Sequence, residues 1–291
     1  MNPFFSIIIP AYERAELIGP TLASVQAQEE GDFECLVVDD GSKDGLGEVV
    51  ESLGDDRFRY FWKENGERGA ARNYGAARAR GQYLNFVDSD DVLLPHHLVT
   101  AQKLIEKRDR PEIFHLAYNI KEGDKVVETR NSFPEVANDF LLKRWWLSCN
   151  GVFVRKDVAE AFPFEEDRRL SATEDSLLWL RIAARYPIYT DNTVTSTVIQ
   201  HEGRSMASTA GEAFAEKAGL FAEVLRSDEG FMQQYGKHLP RLEANLWMLA
   251  ALYAGLGGAR RSGMGYLGKA LGMAPEFLAT RRFLGVVKHL F

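Results

Sequence analysis

The chain has 291 residues, 45% of them hydrophobic and 26% charged, and a net charge of -7. That length admits one large domain, or one domain with an extension, and the balance is ordinary for a globular protein rather than a disordered one. Two cysteines, Cys35 and Cys149, argue against a disulfide framework or a zinc site.

In chain order, Phe5-Ser6-Ile7-Ile8-Ile9 reads as a buried strand and ends in Pro10-Ala11-Tyr12-Glu13-Arg14. A tyrosine there could stack on a base, and an arginine could meet a phosphate. Leu17, Ile18, Leu22 and Val25 fall at helical spacing and predict a helix near 17–28. The apolar, β-branched run 33–38 predicts a second strand, which ends in Asp39-Asp40-Gly41-Ser42. A helix near 46–53, a strand over 58–62, a helix near 70–79 and a strand over 82–87 follow. This alternation predicts a mostly parallel sheet with helices on both faces and all four strand ends on one side. Ligands of such sheets bind at the carboxyl ends of the strands. The absence of GxGxxG after the first strand argues against a dinucleotide-binding domain.

The fourth strand runs into Val87-Asp88-Ser89-Asp90-Asp91, three carboxylates in four residues. Neighbouring carboxylates raise one another's pKa unless a cation neutralises them. A hard divalent ion, Mg²⁺ or Mn²⁺, suits such oxygen ligands. A solvated, helix-capping acidic turn is the plainer reading of the same residues.

Beyond Pro95 a helix is predicted to Lys107, then strands at 113–118, 125–129 and 151–154. Residues 138–146 read as a helix or loop carrying Trp145-Trp146, which is either a sugar-stacking platform or part of the core. Ser176–Ile182 is an amphipathic helix led by Thr173-Glu174-Asp175, and Val194–Gln200 is a strand followed by His201.

These pieces together resemble the family 2 glycosyltransferases of the GT-A fold. The resemblance rests on Ile7–Tyr12, Val37–Ser42, Gly69–Gly75, Gly81–Asp91 and Thr173–Asp175, in that order, and covers roughly residues 4–205. It departs from the family at Glu13, where Asn is frequent. It implies an α/β GT-A domain over 1–205, with a nucleotide-sugar half at 1–95 and an acceptor half at 96–205. A helical C-terminal extension would occupy 206–291. The implied activity is metal-dependent, inverting transfer from a nucleoside diphosphate sugar, UDP-linked by expectation, to a saccharide or lipid-linked glycan of the cell surface.

The resemblance also implies roles. Asp90 would ligate Mn²⁺ or Mg²⁺, with Asp88 shared between metal and ribose and Ser89 between them in the nucleotide-sugar site. Asp40 would accept from the base, flanked by Pro10 and Tyr12, with Asp39 structural or ribose-directed. Arg14, Arg68 and Arg72 would serve the nucleotide, His201 would complete the metal site, and Asp175 would be the general base. Standing alone, Glu174-Asp175 reads as a helix cap and dipole partner. Asp91 would hold the loop or cap the helix after Pro95.

Three rivals are weaker. A haloacid-dehalogenase-type phosphatase wants its nucleophilic Asp after the first strand, which here ends in Pro-Ala-Tyr. A nucleotidyltransferase wants a glycine-rich basic loop at that place. A catalytically inactive nucleotide-sugar-binding or scaffold protein of the same fold would have little need for so many clustered acids.

From Lys237 onward eight basic side chains face two acids, +6 against -13 for the remainder. A basic, apolar tail, best developed at 281–291, reads either as a peripheral contact with an anionic membrane face or as a helical extension with solvated charges. Nucleic acid is not expected as a partner, because the basic residues are spread out and the main domain is acidic. With no signal peptide and no apolar run of spanning length, the expected location is cytoplasmic, with any membrane contact on the inner face.

Overall fold

The computed structural model describes residues 2–200 and 211–290, which fall into two compact units, one up to residue 200 and the other from residue 211. His201, expected as a metal ligand, lies outside the described residues.

In the first unit the strands are β1 (Phe5–Ala11), β2 (Phe33–Asp39), β3 (Phe58–Trp62), β4 (Tyr83–Phe86), β5 (Val92–Leu93), β6 (Ile113–Glu122), β7 (Lys125–Arg130), β8 (Val152–Arg155) and β9 (Ile188–Gln200). The helices are α1 (Gly19–Gln26), α2 (Leu46–Glu51), α3 (Glu67–Ala76), α4 (His97–Lys107), α5 (Asn138–Leu141), α6 (Lys156–Ala161) and α7 (Glu174–Ala183). Among the described residues the strands form one sheet in the order β3-β2-β1-β4-β8-β6-β9-β5, with β7 paired to β6.

The first four strands are parallel, so their carboxyl ends share one edge. β1 and β2 are buried on both faces, which is why they read as unbroken apolar runs rather than alternating ones. The second half is mixed. β8 runs against both β4 and β6, while β6 and β9 are parallel. The uniform βα alternation therefore stops at β4.

Helix α3 has few large apolar residues, and small ones seat it. A Cβ on Gly75 would stand 2.5 Å from Ile8 Cγ2 and 3.1 Å from Val38 Cγ2. One on Gly69 would strike the Glu165 carbonyl oxygen. This close approach lets Arg72, one turn from each glycine, reach the interior. Below the acidic turn, His97 ties three elements together. Its Nδ1 meets Thr195 Oγ1 at 2.8 Å and its Nε2 meets Asn85 Oδ1 at 3.2 Å. Burial pushes His97 down to about 3, so it serves as a neutral hydrogen-bonding post.

The second unit is helical: α8 (Gly211–Ser227), α9 (Glu229–Tyr235), α10 (Leu239–Leu256), α11 (Arg260–Met273) and α12 (Arg281–Leu290). α10 is its centre and touches α8, α11 and α12. Gly255 and Gly263 let α12 close in, against His289 and Leu290. Val286 and Leu290 are buried, and Arg282 bonds Asn245 Oδ1 at 2.7 Å. The apolar face of the basic tail is thus spent inside its own bundle. No helix among the described residues is long and apolar enough to cross a membrane.

Candidate functional site

At the shared strand edge, β2 ends in two acids held differently. Asp39 is buried, with Oδ1 accepting from the Ser42 backbone N–H at 2.7 Å and Oδ2 from the Tyr60 hydroxyl at 2.6 Å. Asp40 accepts through Oδ1 alone, from Lys63 Nζ at 2.7 Å and the Gly66 N–H at 2.9 Å. Lys63, at the end of β3, is a partner that sequence reasoning missed; a cation one residue beyond the strand beside two acids was the available signal.

The loop after β1 lies over this end. Glu13 has φ +50°, and its carboxylate accepts from the Lys43 N–H at 3.1 Å while Ser42 Oγ accepts from the Glu13 N–H at 2.8 Å. That left-handed backbone explains why Asn suits the position: its short side chain tolerates it best among non-glycine residues. Tyr12 is 52% exposed and Arg14 half-buried, whereas Pro10 is buried within β1 opposite Val38. Pro10 is therefore part of the sheet, and Tyr12 alone of that pair presents a ring to solvent. A groove of about 560 Å³ opens between α3 and residues 166–168, lined by Lys63, Asn73, Tyr74 and Arg168 among others.

The acidic turn after β4 also divides its work. Asp91 is buried; Oδ1 accepts from the Ile199 N–H at 2.9 Å and Oδ2 from Asn150 Nδ2 at 3.3 Å. It holds the turn to β9, in line with the loop-holding role. Ser89 is buried and its carbonyl accepts from Thr21 Oγ1. Asp88 and Asp90 are half-buried at the surface of the turn. One oxygen each of Asp88, Asp90 and Asp91 lies within 4.8 Å of the others, a spacing that fits a hard divalent cation.

Arg72 connects this turn to α7. Its Nη2 donates to Asp88 Oδ1 at 2.8 Å and its Nη1 to Glu174 Oε1 at 2.7 Å. Arg72 and Glu174 are 1% and 2% exposed, so this is a buried bridge beneath the site rather than a side chain on its surface. The Phe164 ring lies against the guanidinium, 5.1 Å from centroid to Cζ. Glu174 Oε2 is buried without a hydrogen-bond partner among the described residues. Arg68 Nε stands 3.8 Å from Glu174 Oε1 and is about a third exposed, so of the two arginines it is the one that reaches solvent.

Asp175 opens α7 beside Glu174. Its Oδ1 accepts from the Ser176 N–H at 2.6 Å, and Cys149 Sγ lies 3.9 Å from Oδ2. Burial, then the neighbouring Glu174 charge, push its carboxyl up to about 6, with Arg72 pulling the other way. Ala172, three residues before Asp175, has φ +69°, a strained conformation for an alanine and one that recurs near functional sites.

Comparison with known proteins gives the family and the fold. The family described as Glycosyl transferase family 2 matches residues 6–153. An uncharacterized glycosyltransferase of Rickettsia typhi is 36% identical over 240 residues, 77% of this chain and 72% of the relative. One of Rickettsia conorii is 31% identical over 204 residues, 65% of this chain but 33% of the relative. The chain thus spans about a third of the length of several Rickettsia relatives that it matches. The GalNAc(5)-diNAcBac-PP-undecaprenol beta-1,3-glucosyltransferase of Campylobacter jejuni is 26% identical over 267 residues, 87% of this chain and 84% of the relative. Among solved structures, Staphylococcus aureus TarS 1–349 in complex with UDP-GlcNAc superposes with a TM-score of 0.71 at 22% identity, over 94% of this chain and 80% of that one. The mannosyltransferase PcManGT from Pyrobaculum calidifontis, in complex with GDP-Man and Mn²⁺, gives 0.59 at 17% identity, over 99% and 86%. Both share the fold.

The Arg72 bridge has a measurable consequence. Arg72→Ala leaves Glu174 buried without its cation, and urea unfolding should show a loss of about 3–5 kcal/mol. Arg72→Lys should recover only part, because one ammonium cannot span two carboxylates as a guanidinium fork does. A loss below about 1 kcal/mol in Arg72→Ala would show the bridge to be dispensable.

Proposed function

The chain belongs to glycosyltransferase family 2, and from that membership we propose that it moves a sugar from a nucleoside diphosphate sugar, UDP-linked, to a hydroxyl of a saccharide or lipid-linked glycan, with inversion. The observation that carries the proposal is the Asp88–Arg72–Glu174 bridge, which fixes the acidic turn and the residue next to Asp175 to one guanidinium. A site of this kind needs an acid turn for the diphosphate and a base for the acceptor at constant separation.

In this reading Asp40 and Tyr12 receive the nucleotide base, with Lys63 fixing one Asp40 oxygen and leaving the other for a hydrogen-bond donor. Arg68 and Arg14 meet the diphosphate, Asp88 and Ser89 border the ribose and sugar, and Arg72 acts from below as a positioning residue. Asp88 and Asp90 would hold a divalent cation, whose chemistry there is Lewis-acid neutralisation of the departing diphosphate. Asp175 takes the acceptor hydroxyl's proton while that oxygen bonds to the anomeric carbon and the bond to the diphosphate breaks. TarS with UDP-GlcNAc supports UDP, and PcManGT with GDP-Man and Mn²⁺ supports a divalent ion while making GDP the comparison to run.

Contact with an anionic membrane face enters the proposal through an outward stripe of α12. Arg281, Leu284 and Lys288 share one exposed face, with Leu284 65% exposed between two cations. Sedimentation with phosphatidylglycerol vesicles should be reduced several-fold by Leu284→Asp with Lys288→Glu; equal sedimentation of wild type and variant would remove this contact.

Titration calorimetry of UDP, GDP and dTDP, with and without Mn²⁺, tests the donor site. Tightest binding is expected for UDP, it should require Mn²⁺, and Asp90→Ala should weaken it at least tenfold. If no nucleotide binds the wild type under any condition, the donor site is wrongly assigned.

Asp175 sets the pH dependence. A base must be ionised to act, so the rate should climb through about pH 6 and level above it. Asp175→Asn should lose roughly 10²–10⁴-fold in rate with UDP affinity kept. Stability moves oppositely. The folded pKa is raised, so the neutral carboxyl is the favoured form and stability falls as pH rises from about 4 through about 6. At pH 8 the ligand-free Asn variant should therefore be ~2–3 kcal/mol more stable than wild type. A flat rate profile between pH 5 and 7 would count against Asp175 as the base.

A further inference from the structure

On the Asp175 side of the first unit, the loop after α5 carries Trp146 with two guanidiniums against its ring. Arg130 Cζ is 3.5 Å and Arg144 Cζ 4.2 Å from the ring centroid, and Phe140 meets the ring at 5.7 Å, edge to face. Trp146 is therefore no bare platform for a sugar. Two cations lie against its ring, and the question becomes what those cations serve.

Their charge is only partly met. Arg130 pairs with Glu128 at 2.7 Å, and its Nε and Nη1 are buried without hydrogen-bond partners among the described residues. Arg144 is exposed and makes no ion pair among the described residues, and the neighbouring Lys143 is exposed as well. Two guanidiniums against one indole repel each other. Cation–π attraction offsets part of that, and a shared anion would offset more.

The cluster is joined to the proposed site through Tyr118 and the chain. Tyr118 lies opposite Arg130 in the β6–β7 register, and its hydroxyl donates to the Trp146 carbonyl at 2.8 Å. The charges of Asp175 and Asp91 both act on that same Tyr118. Three residues past Trp146, Cys149 contacts the Asp175 carboxylate. A cationic patch therefore borders the carboxylate assigned to deprotonate the acceptor.

We propose that Arg130 and Arg144, mounted on Trp146, form an anion subsite that holds a phosphate group of the acceptor. The acceptor class is thereby a phosphate-bearing glycan or glycan carrier. This rests on the Asp175 side being the acceptor side. Guanidinium forks match phosphate oxygens bidentately; Arg144 offers an exposed fork with no ion pair among the described residues, and the Arg130 charge lies against the same ring. The phosphate comes either from a lipid diphosphate or from a phosphodiester within the glycan, and the recognition chemistry is the same.

The test is calorimetry on the full chain saturated with UDP and Mn²⁺, so that the donor site is filled. The probes are glycerol 3-phosphate, farnesyl diphosphate and, as the neutral control, methyl N-acetylglucosaminide. The phosphate probes should bind at least tenfold tighter than the glycoside. Arg144→Glu, at an exposed position that tolerates substitution, should remove that preference, Arg144→Lys should keep most of it, and UDP affinity should stay within twofold in both. Farnesyl diphosphate binding well ahead of glycerol 3-phosphate supports the subsite with a lipid-linked source, and equal binding supports it with a phosphodiester source. Phosphate probes that bind no better than the glycoside, or that ignore Arg144→Glu, would overturn the proposal. Loss of UDP binding in the wild type is a separate readout that strikes the donor site alone.

Discussion

The arrangement at the sheet edge depends on a cation buried where a cation is costly. Arg72 is 1% exposed and lies between Asp88 and Glu174. Burial alone would lower its pKa, and the acids around it raise it well above the ordinary value. Breaking such a bridge strands a charge in low dielectric, so it acts as a constraint more than as a source of net stability. The constraint runs from the turn after β4 to the first turn of α7, across 102 residues of chain between Arg72 and Glu174. Any shift of one element relative to the other must stretch two short charge-assisted bonds. The small residues of α3 follow from this. A larger residue at Gly75 would lift the helix off the sheet, one at Gly69 would push it against the Phe164–Glu165 loop, and either would shift the guanidinium.

What the sequence made legible was whatever is encoded locally. Strand β3 falls at 58–62 as predicted, β1 and β2 fall within two residues of their predicted bounds, and the acids sit at strand ends because turns after parallel strands place them there. The family's motifs supplied the order of these pieces. What was not legible came from partners distant in sequence. Arg72 reads equally well as a ligand-facing arginine or a surface one until Glu174 is seen beside it. Asp40 reads as a bare acceptor until Lys63 is seen on its Oδ1. Where the mostly parallel sheet turns antiparallel, at β8, was not legible, because a short apolar strand carries no mark of its direction; pairing against β4 and β6 sets it.

The C-terminal unit teaches the same lesson about amphipathic patterns. Arg281–Leu290 carries apolar and basic residues at helical spacing, which describes a helix bound at a lipid surface and a helix packed in a bundle alike. Gly255 and Gly263, far upstream, decide it. They remove the side chains that would keep α12 away from α10 and α11, and His289 and Leu290 close into that space. Any membrane role is left to the outward stripe with Leu284.

Each acidic doublet at the sheet edge has one carboxylate anchored by hydrogen bonds of the fold. Asp39 is fully engaged by Ser42 and Tyr60 while Asp40 bonds through one oxygen. Asp91 is engaged by Ile199 and Asn150 while Asp90 stands half-buried beside it. Glu174 is engaged by Arg72 while Asp175 takes a hydrogen bond from Ser176 and bears the raised pKa. One member of each pair is thus held in place by the fold, while Asp40, itself buried, has its own cation in Lys63. In Asp175, burial and the adjacent Glu174 charge leave a carboxylate whose proton affinity lies nearer neutrality than an isolated aspartate's, as the proposed proton transfer from a hydroxyl requires.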